Sequence, residues 1–262
     1  MIRADPLPAT TRYRAVVAYD GTRFQGFQRQ AGETPTVQAA LEAAIERVTG
    51  QRVTLKAAGR TDTGVHATGQ VIAFDVMWRH TPADLWRALN ANLPPDVALS
   101  SLEEAPPGFH PRYDARSRVY EYTLYVAPAR HPLLDRYAWH VPVSQALNNE
   151  IMQRAADLLV GTHDFAAFGQ PPQGENTVRQ VFCSQVQMLP PPPPVTQLLR
   201  YRIEANGFLY HMVRRIVGAL VRVGSGALSL DEMARVLQSA PGNWPNQAAP
   251  ARGLCLIAVT YE

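Results

Sequence analysis

The hydrophobic residues of this chain follow a pattern that occurs twice. In the first half, segments typical of strands and of helices follow each other in the order β-α-β-β-α-β. The second half shows the same order, with one more short helix before its last strand. A βαββαβ unit of this kind combines two crossover helices with one sheet. The sequence therefore predicts an α+β protein with two such halves, whose mainly antiparallel sheets join edge to edge.

Turn and capping residues set the predicted ends of the elements. Thr34 and Thr81, each followed by proline, begin the two helices of the first half, and Gly50 ends the first of them. In the second half, Ser144 begins one helix and Ser229 begins a short one through a capping box. The predicted strands lie at 13–19, 53–58, 70–76, 97–102, 117–126, 177–188, 198–204 and 254–260, and one more helix spans about 208–223.

The boundary between the halves falls within 106–114, where the regular pattern is interrupted. We therefore expect a first domain at 1–113 and a second at 114–262. In the second half, the proline run Pro190–Pro194 forms a stiff connection between two strands. The segment 169–176, GQPPQGEN, has the composition of a mobile loop.

The basic residues are almost all arginine. The 262 residues carry a net charge of +3, and Lys56 is the only lysine among the 25 basic residues. Arginine binds phosphate with two hydrogen bonds and stacks on planar bases, so this bias suits a nucleic-acid partner. A GC-rich genome explains the same bias equally well. Composition alone therefore leaves the partner open.

Several classes of protein are disfavoured by what the sequence lacks. Cys183 and Cys255 lie far apart, without the spacing of a zinc site or a disulfide framework. No G-x-S-x-G or P-loop motif occurs, and Gly224-Ser225-Gly226 lacks the third glycine of a dinucleotide-binding motif. The sequence has no signal-peptide pattern and no apolar run of the roughly 18 residues that a membrane span needs. We therefore expect a soluble cytoplasmic protein without membrane contact.

The segment GRTDTGVHATG, between two predicted strands, has the clearest chemical content. Asp62 follows Arg60 by two residues, and a neighbouring guanidinium keeps a carboxylate ionised, often by roughly one to three pKa units. An ionised carboxylate in a sheltered loop acts as a nucleophile or a base. The same residue types also form ordinary structural turns, so the pattern alone leaves both interpretations open. Asp62 and His66 are too few ligands to indicate a metal site.

Three other segments contain residues that suit RNA binding. YDGTRFQGFQ includes Phe24 and Gln25, and its aromatic and amide side chains suit stacking on and hydrogen bonding to unpaired bases. Those aromatics equally suit a buried core. In RVYEYTLY, strand alternation puts Tyr120 on the same face as Arg118. In NGFLYHMVRRIVGALVRVG, the apolar residues form a buried helical stripe, and the arginines lie toward another face.

Four of these blocks, in this order, closely resemble the TruA family of tRNA pseudouridine synthases: YDGTRFQGFQ, GRTDTGVHATGQV, RVYEY and NGFLYHMVRRIVG. LNANLPPDV and ARGLCL resemble the family too, so the likeness runs from about Tyr13 to Tyr261. The resemblance implies isomerisation of uridine to pseudouridine at positions 38, 39 and 40 of the tRNA anticodon stem-loop. It also implies two RRM-like, ferredoxin-like halves with the active-site cleft between them, a homodimer, and no cofactor or metal.

The resemblance also implies roles for single residues. Asp62 corresponds to the catalytic nucleophile, and Arg214 corresponds to the arginine that forms an ion pair with it. Tyr120 corresponds to the tyrosine that stacks on the target base and is a candidate general base. Arg60 corresponds to the arginine associated with flipping the target nucleotide. The further residues that we expect to contact the substrate are Phe24, Gln25 and His66.

Other functions share parts of this pattern. A non-catalytic RNA-binding protein built from paired RRM-like units has the same fold and arginine bias but does not need Asp62. A metal-dependent hydrolase would use Asp62 and His66 as ligands. Within the family, another tRNA site or another RNA remains open as the substrate. The choice between C1′ and C6 as the atom attacked by Asp62 remains open as well.

Overall fold

The computed structural model describes residues 10–142, 146–171, 174–238 and 248–261. The chain divides into two compact units. The first unit runs to Ala115 and also includes Tyr261, whereas the second comprises Arg116–Thr260. Both units combine helices with mainly antiparallel strands, which confirms the predicted α+β class. No helix in the described part of the chain is long and apolar enough to cross a membrane.

The first unit has the predicted order β-α-β-β-α-β. Its elements are β1 (Thr10–Tyr19), α1 (Val37–Thr49), β2 (Lys56–Ala57), β3 (His66–Met77), α2 (Pro82–Asn92) and β4 (Val97–Glu104). The strands form an antiparallel arrangement in the order β2-β3-β1-β4. Tyr13 of β1 is paired with Phe74 of β3 in this register. Strands β1 and β3 therefore lie at the centre of the unit. The segment YDGTRFQGFQ begins at the end of β1, and the Asp62 turn lies directly before β3.

The helices of this unit begin at side-chain caps. Helix α1 begins two residues later than predicted, because Thr36 rather than Thr34 caps its first turn. It ends at Gly50, whose φ of 71° is in the left-handed region that favours glycine. Helix α2 begins at the predicted place, where Thr81 and Asp84 form a capping box.

The core of the first unit lies between its helices and its sheet. Leu41 and Ile45 of α1 and Leu89 of α2 line one apolar region together with Ile72 and Phe74 of β3. All five side chains are at most 2% exposed. Burying residues of this size stabilises a fold by roughly 1.5–3 kcal/mol each. This layer therefore fixes β3, which follows directly after the Asp62 segment.

The penultimate residue of the chain belongs to the first unit. The Tyr261 hydroxyl donates to the Pro111 carbonyl oxygen at 2.8 Å, and its ring centroid lies 5.1 Å from that of Phe109. The Arg14 guanidinium lies 5.5 Å and 5.6 Å from the centroids of Phe109 and Tyr261, within the range of cation–π attraction. The chain therefore leaves the first unit after Ala115 and returns to it at Tyr261.

The second unit contains more elements than the first. They are β5 (Ser117–Ala127), α3 (Pro132–Asp135), β6 (Trp139–Pro142), α4 (Asn149–Asp157), β7 (Gly161–Asp164), β8 (Val178–Leu189), β9 (Gln197–Ala205), α5 (Met212–Gly224), α6 (Leu230–Leu237) and β10 (Leu254–Thr260). The strand order is β10-β5-β9-β8-β7, with antiparallel pairs throughout. Strand β6 adds a parallel pair beside the last residues of β5.

The helices of the second unit approach each other closely. A Cβ on Gly224, at the end of α5, would lie 2.6 Å from Met152 Cγ of α4, so only glycine fits there without movement. Asn148 caps α4 with its side chain. Ser229 and Glu232 form the predicted capping box at the start of α6.

Some predicted elements differ from those observed. Ser144, predicted to begin a helix, lies outside the described residues, as does part of the predicted loop 169–176. The strand predicted at 53–58 pairs with β3 only at Lys56–Ala57. The helix predicted from about 208 begins at Met212, because His211 has a φ of 62° and cannot continue a right-handed helix.

Candidate active site

Asp62 lies in a tight turn between β2 and β3 of the first unit. The Val65 N–H donates to the Asp62 carbonyl oxygen at 3.1 Å, and Gly64 between them has a φ of 76°. A residue with a side chain rarely adopts this φ, so the glycine allows the turn. The Asp62 side chain is half-buried, and Arg60 is exposed. Arg60 makes no hydrogen bond or ion pair with any of the described residues, so its guanidinium is available to an anion.

The segment YDGTRFQGFQ packs directly against this turn. The Phe27 N–H donates to the Thr61 carbonyl oxygen at 3.0 Å, and the Tyr19 hydroxyl is hydrogen-bonded to Thr61 Oγ1 at 2.7 Å in the interior. A Cβ on Gly26 would lie 3.0 Å from the Thr61 carbonyl oxygen, so the two backbones touch. The two segments, selected separately from the sequence, therefore pack against each other in the first unit.

His66 connects the two segments from the other side of the turn. It lies at the start of β3 and is 6% exposed. Its Nδ1 accepts a hydrogen bond from the Gly21 N–H at 3.0 Å and lies 3.2 Å from Asp20 Oδ1. Because this nitrogen is used within the protein, His66 anchors the loop and does not present Nδ1 to a metal. Among the described residues, no group of three or more His, Cys, Asp or Glu residues could hold a metal ion.

The two residues predicted to contact bases from YDGTRFQGFQ differ in exposure. Phe24 is 7% exposed and Phe27 is 2% exposed, so both rings belong to the core. Gln25 is exposed, and its backbone N–H donates to the Pro35 carbonyl oxygen at 2.8 Å. Burial thus favours a packing role for Phe24, whereas the Gln25 side chain is free of the core and points to solvent. Substrate contact by Phe24, Gln25 and His66 stays a prediction.

Tyr120 lies on β5 of the second unit. Its side chain is half-buried, and its ring meets the Phe208 ring edge to face at 5.1 Å between centroids. Tyr122, two residues on, is fully buried and donates its hydroxyl to the Pro250 carbonyl oxygen at 2.8 Å. Burial raises the pKa of Tyr122 far above its usual value. Of these two tyrosines, Tyr120 is therefore the one whose ring is partly exposed, and its contact with a substrate stays a prediction.

Arg214 lies in the first turn of α5 and is tied to the chain before β10. Its Nε donates to the Ala249 carbonyl oxygen at 2.7 Å, and the Ala249 N–H donates to the Arg214 carbonyl oxygen at 3.0 Å. This pair of bonds fixes the half-buried guanidinium through Nε. Its charge lies near Tyr122, where it opposes the effect of burial on the pKa of that phenol.

Each unit therefore gathers one group of the predicted site residues. The first unit brings Asp62, Arg60 and Gln25 to one loop system around His66. In the second unit, Tyr120 lies two residues before Tyr122 on β5, and Arg214 lies close to Tyr122 and to the segment before β10. The pairing of Arg214 with Asp62 stays a prediction of the family resemblance. The residues that anchor these groups were not predicted from the sequence; they include Tyr19, Gly21, Thr61, Ala249 and Pro250.

Of these anchoring residues, only Gly21 has a sequence pattern that points to a structural role. Gly21 follows an aspartate directly after a strand, which marks a turn. The contact it makes across 44 positions of sequence with the Asp62 turn is not encoded in any local pattern. A Cβ on Gly21 would lie 2.0 Å from the Val65 carbonyl oxygen.

Comparison with known proteins shows which proteins this chain is similar to. The family model described as tRNA pseudouridine synthase matches residues 15–114 and 155–262. A tRNA pseudouridine synthase A from Neisseria gonorrhoeae is 44% identical over 253 residues, covering 95% of this chain and 92% of that protein. Proteins of the same name from Pseudothermotoga lettingae and Geobacillus are 40% and 37% identical, covering 95% and 96% of this chain and 99% and 98% of their own lengths.

Proposed function

Because this chain belongs to the family of tRNA pseudouridine synthases, we propose that it converts uridine to pseudouridine in tRNA at positions 38, 39 and 40, with Asp62 as the nucleophile. The family match over most of the chain carries the reaction class. The position of Asp62 supports the finer assignment, because its half-buried side chain lies in a turn held by buried contacts from Tyr19 and Gly26. A carboxylate held in this way is preorganised for attack.

The reaction is an isomerisation, so its atoms balance within the nucleotide. The N1–C1′ glycosidic bond breaks, the uracil turns, and C5 bonds to C1′. C5 then loses its proton, and N1 ends with one. Asp62 forms a transient bond to C1′ or to C6 and is released unchanged, which holds the intermediate while the base turns.

The other site residues have proposed roles that follow from their surroundings. Tyr120 presents a half-buried ring for stacking on the target uracil, and its hydroxyl is the candidate base for the C5 proton. Arg214 supplies the positive charge that keeps Asp62 ionised. Arg60, exposed and without a partner among the described residues, occupies the space that the flipped nucleotide leaves. Flipping costs a few kcal/mol, which stacking and polar contacts in the pocket offset.

The decisive experiment compares two carboxylate variants. Asp62→Asn removes the nucleophile but keeps the shape of the side chain, so we expect it to bind tRNA and release no tritium from tRNA labelled at uridine C5. Asp75→Asn is the matched control, since Asp75 lies in the same unit, half exposed, and is paired with Arg12. This control should turn over at the wild-type rate.

The outcomes separate the parts of the proposal. A wild-type protein that releases no tritium from any tRNA contradicts the reaction and favours a non-catalytic RNA-binding protein. Turnover by Asp62→Asn contradicts only the nucleophile assignment. Mapping the pseudouridines in tRNA from a deletion strain tests the positions, because loss at sites outside 38–40 contradicts the proposed substrate site. Homodimerisation stays a prediction of the resemblance, to be checked by light scattering.

A further inference from the structure

Arg179, at the start of β8, makes no ion pair with a described carboxylate. Its Nη1 donates to the carbonyl oxygens of Asn176 at 3.0 Å and Val178 at 2.7 Å. These two bonds hold the guanidinium in one place. Nε and Nη2 donate to no described residue. Burial alone lowers the pKa of Arg179, with no opposing contribution from an acid.

The side of the guanidinium that carries Nε and Nη2 is the side best suited to binding phosphate. Nε–H and one N–H of Nη2 form a parallel pair of donors, which matches two oxygens of a phosphate. Gly207 lies beside this side: a Cβ built there would be 3.6 Å from Arg179 Nε and 3.7 Å from Cδ. A longer side chain at this position would lie against Nε and restrict access to the donor pair. Glycine at 207 therefore leaves the donor pair open.

The turn that contains Gly207 also lies beside the tyrosine strand. Arg118 of β5 donates from Nη1 to the Asn206 carbonyl oxygen at 2.9 Å, which brings a second guanidinium to the same turn. Phe208, the next residue after Gly207, packs edge to face on Tyr120 at 5.1 Å. A phosphate bound by Arg179 would thus lie close to the nucleotide that stacks on Tyr120.

We propose that Arg179, with its Nε and Nη2 donors left open by Gly207, binds a phosphodiester of the RNA strand beside the nucleotide held at Tyr120. This inference rests on the proposed function, because it takes the tRNA strand as the ligand. Arg179 positions the strand and touches no reacting atom. The interaction has two charge-assisted hydrogen bonds, and one such bond contributes enough to change a dissociation constant by roughly 10- to 100-fold.

The test measures tRNA affinity as a function of salt for the full-length protein. Arg179→Gln should raise the Kd for tRNA by roughly 10-fold or more, and it should flatten the plot of log K against log salt by about 0.7–0.9, the value for one lost phosphate contact. Arg179→Lys keeps the charge but lacks the paired donors, so it should restore the salt slope and only part of the affinity. Gly207→Val should weaken binding while Arg179 is intact, because its methyl groups cover the donors.

The matched control is Arg235→Gln, which removes the same charge from an exposed arginine on α6 that donates to the Asp231 carbonyl oxygen. We expect its Kd and salt slope to equal those of the wild type. If Arg179→Gln behaves like this control, the proposal is wrong. It is equally wrong if Arg179→Gln lowers only the melting temperature, because that result means a structural role. Tritium release by the wild type is measured in parallel, and its absence contradicts the proposed function instead.

Discussion

Replacing Gly21 with alanine tests whether the close contact behind the Asp62 turn matters to the reaction. The added Cβ would lie 2.0 Å from the Val65 carbonyl oxygen, whereas real Cβ atoms essentially never approach closer than 3.0 Å. Gly21 or Val65 must therefore move by about 1 Å. Val65 is hydrogen-bonded to Asp62 through the turn, so the displacement reaches the carboxylate. A misplacement of ~1 Å lowers a catalytic rate by roughly 100-fold.

The assay is the initial rate of tritium release at saturating tRNA, below the melting temperature of the variant. We expect kcat to fall ~100-fold, while overpacking lowers the free energy of unfolding by only ~1–3 kcal/mol. Gly59→Ala is the matched control, since a Cβ there meets nothing within 4 Å, and it should keep the wild-type kcat. A folded Gly21→Ala protein with a kcat within about twofold of this control would refute the reasoning.

Three further predictions concern stability. Tyr19→Phe removes the buried hydrogen bond to Thr61 and should lower the free energy of unfolding by ~1 kcal/mol or more in urea titrations, because the Thr61 hydroxyl stays buried. Ser229→Ala removes the cap of α6 and should cost about 1 kcal/mol in the same titration, whereas no change would contradict the capping role. Hydrogen bonding to Arg12 lowers the pKa of Asp75 in the folded state, so its contribution is present above the unfolded pKa and is lost as pH falls through the lower folded pKa. Wild type and Asp75→Asn should therefore differ in thermal stability at pH 7 and converge once the pH falls below the lowered folded pKa, and a difference that stays constant with pH would contradict this assignment.

Much of the fold follows from local patterns in the sequence. The capping boxes at Thr81 and Ser229 place two helices correctly, because a cap satisfies backbone donors within a few residues. Long strands such as β5 and β10 follow from their hydrophobic pattern. The short strands β6 and β7 do not, since four residues carry too little pattern to separate a strand from a loop.

In the candidate site, too, local motifs could be recognised from the sequence, whereas contacts between distant segments could not. Asp62 and Tyr120 were selected as candidates from their motifs and from the family resemblance that those motifs carry, and their roles stay predictions. The contacts that hold them were not found, because Gly21 meets Val65 and Tyr122 meets Pro250 only when distant segments fold together. The burial of Phe24 was equally hidden, since an aromatic side chain in a motif rich in glutamine and glycine suits a base or a core equally well.

Tyr261 has a consequence for the order in which the first unit can form. Its ring packs on Phe109 and Arg14, and its hydroxyl donates to a carbonyl oxygen 150 positions earlier in the sequence. Residues Arg116–Thr260 of the second unit lie between these partners in the sequence. During translation, the first unit therefore completes this contact only after the ribosome has passed through the second unit.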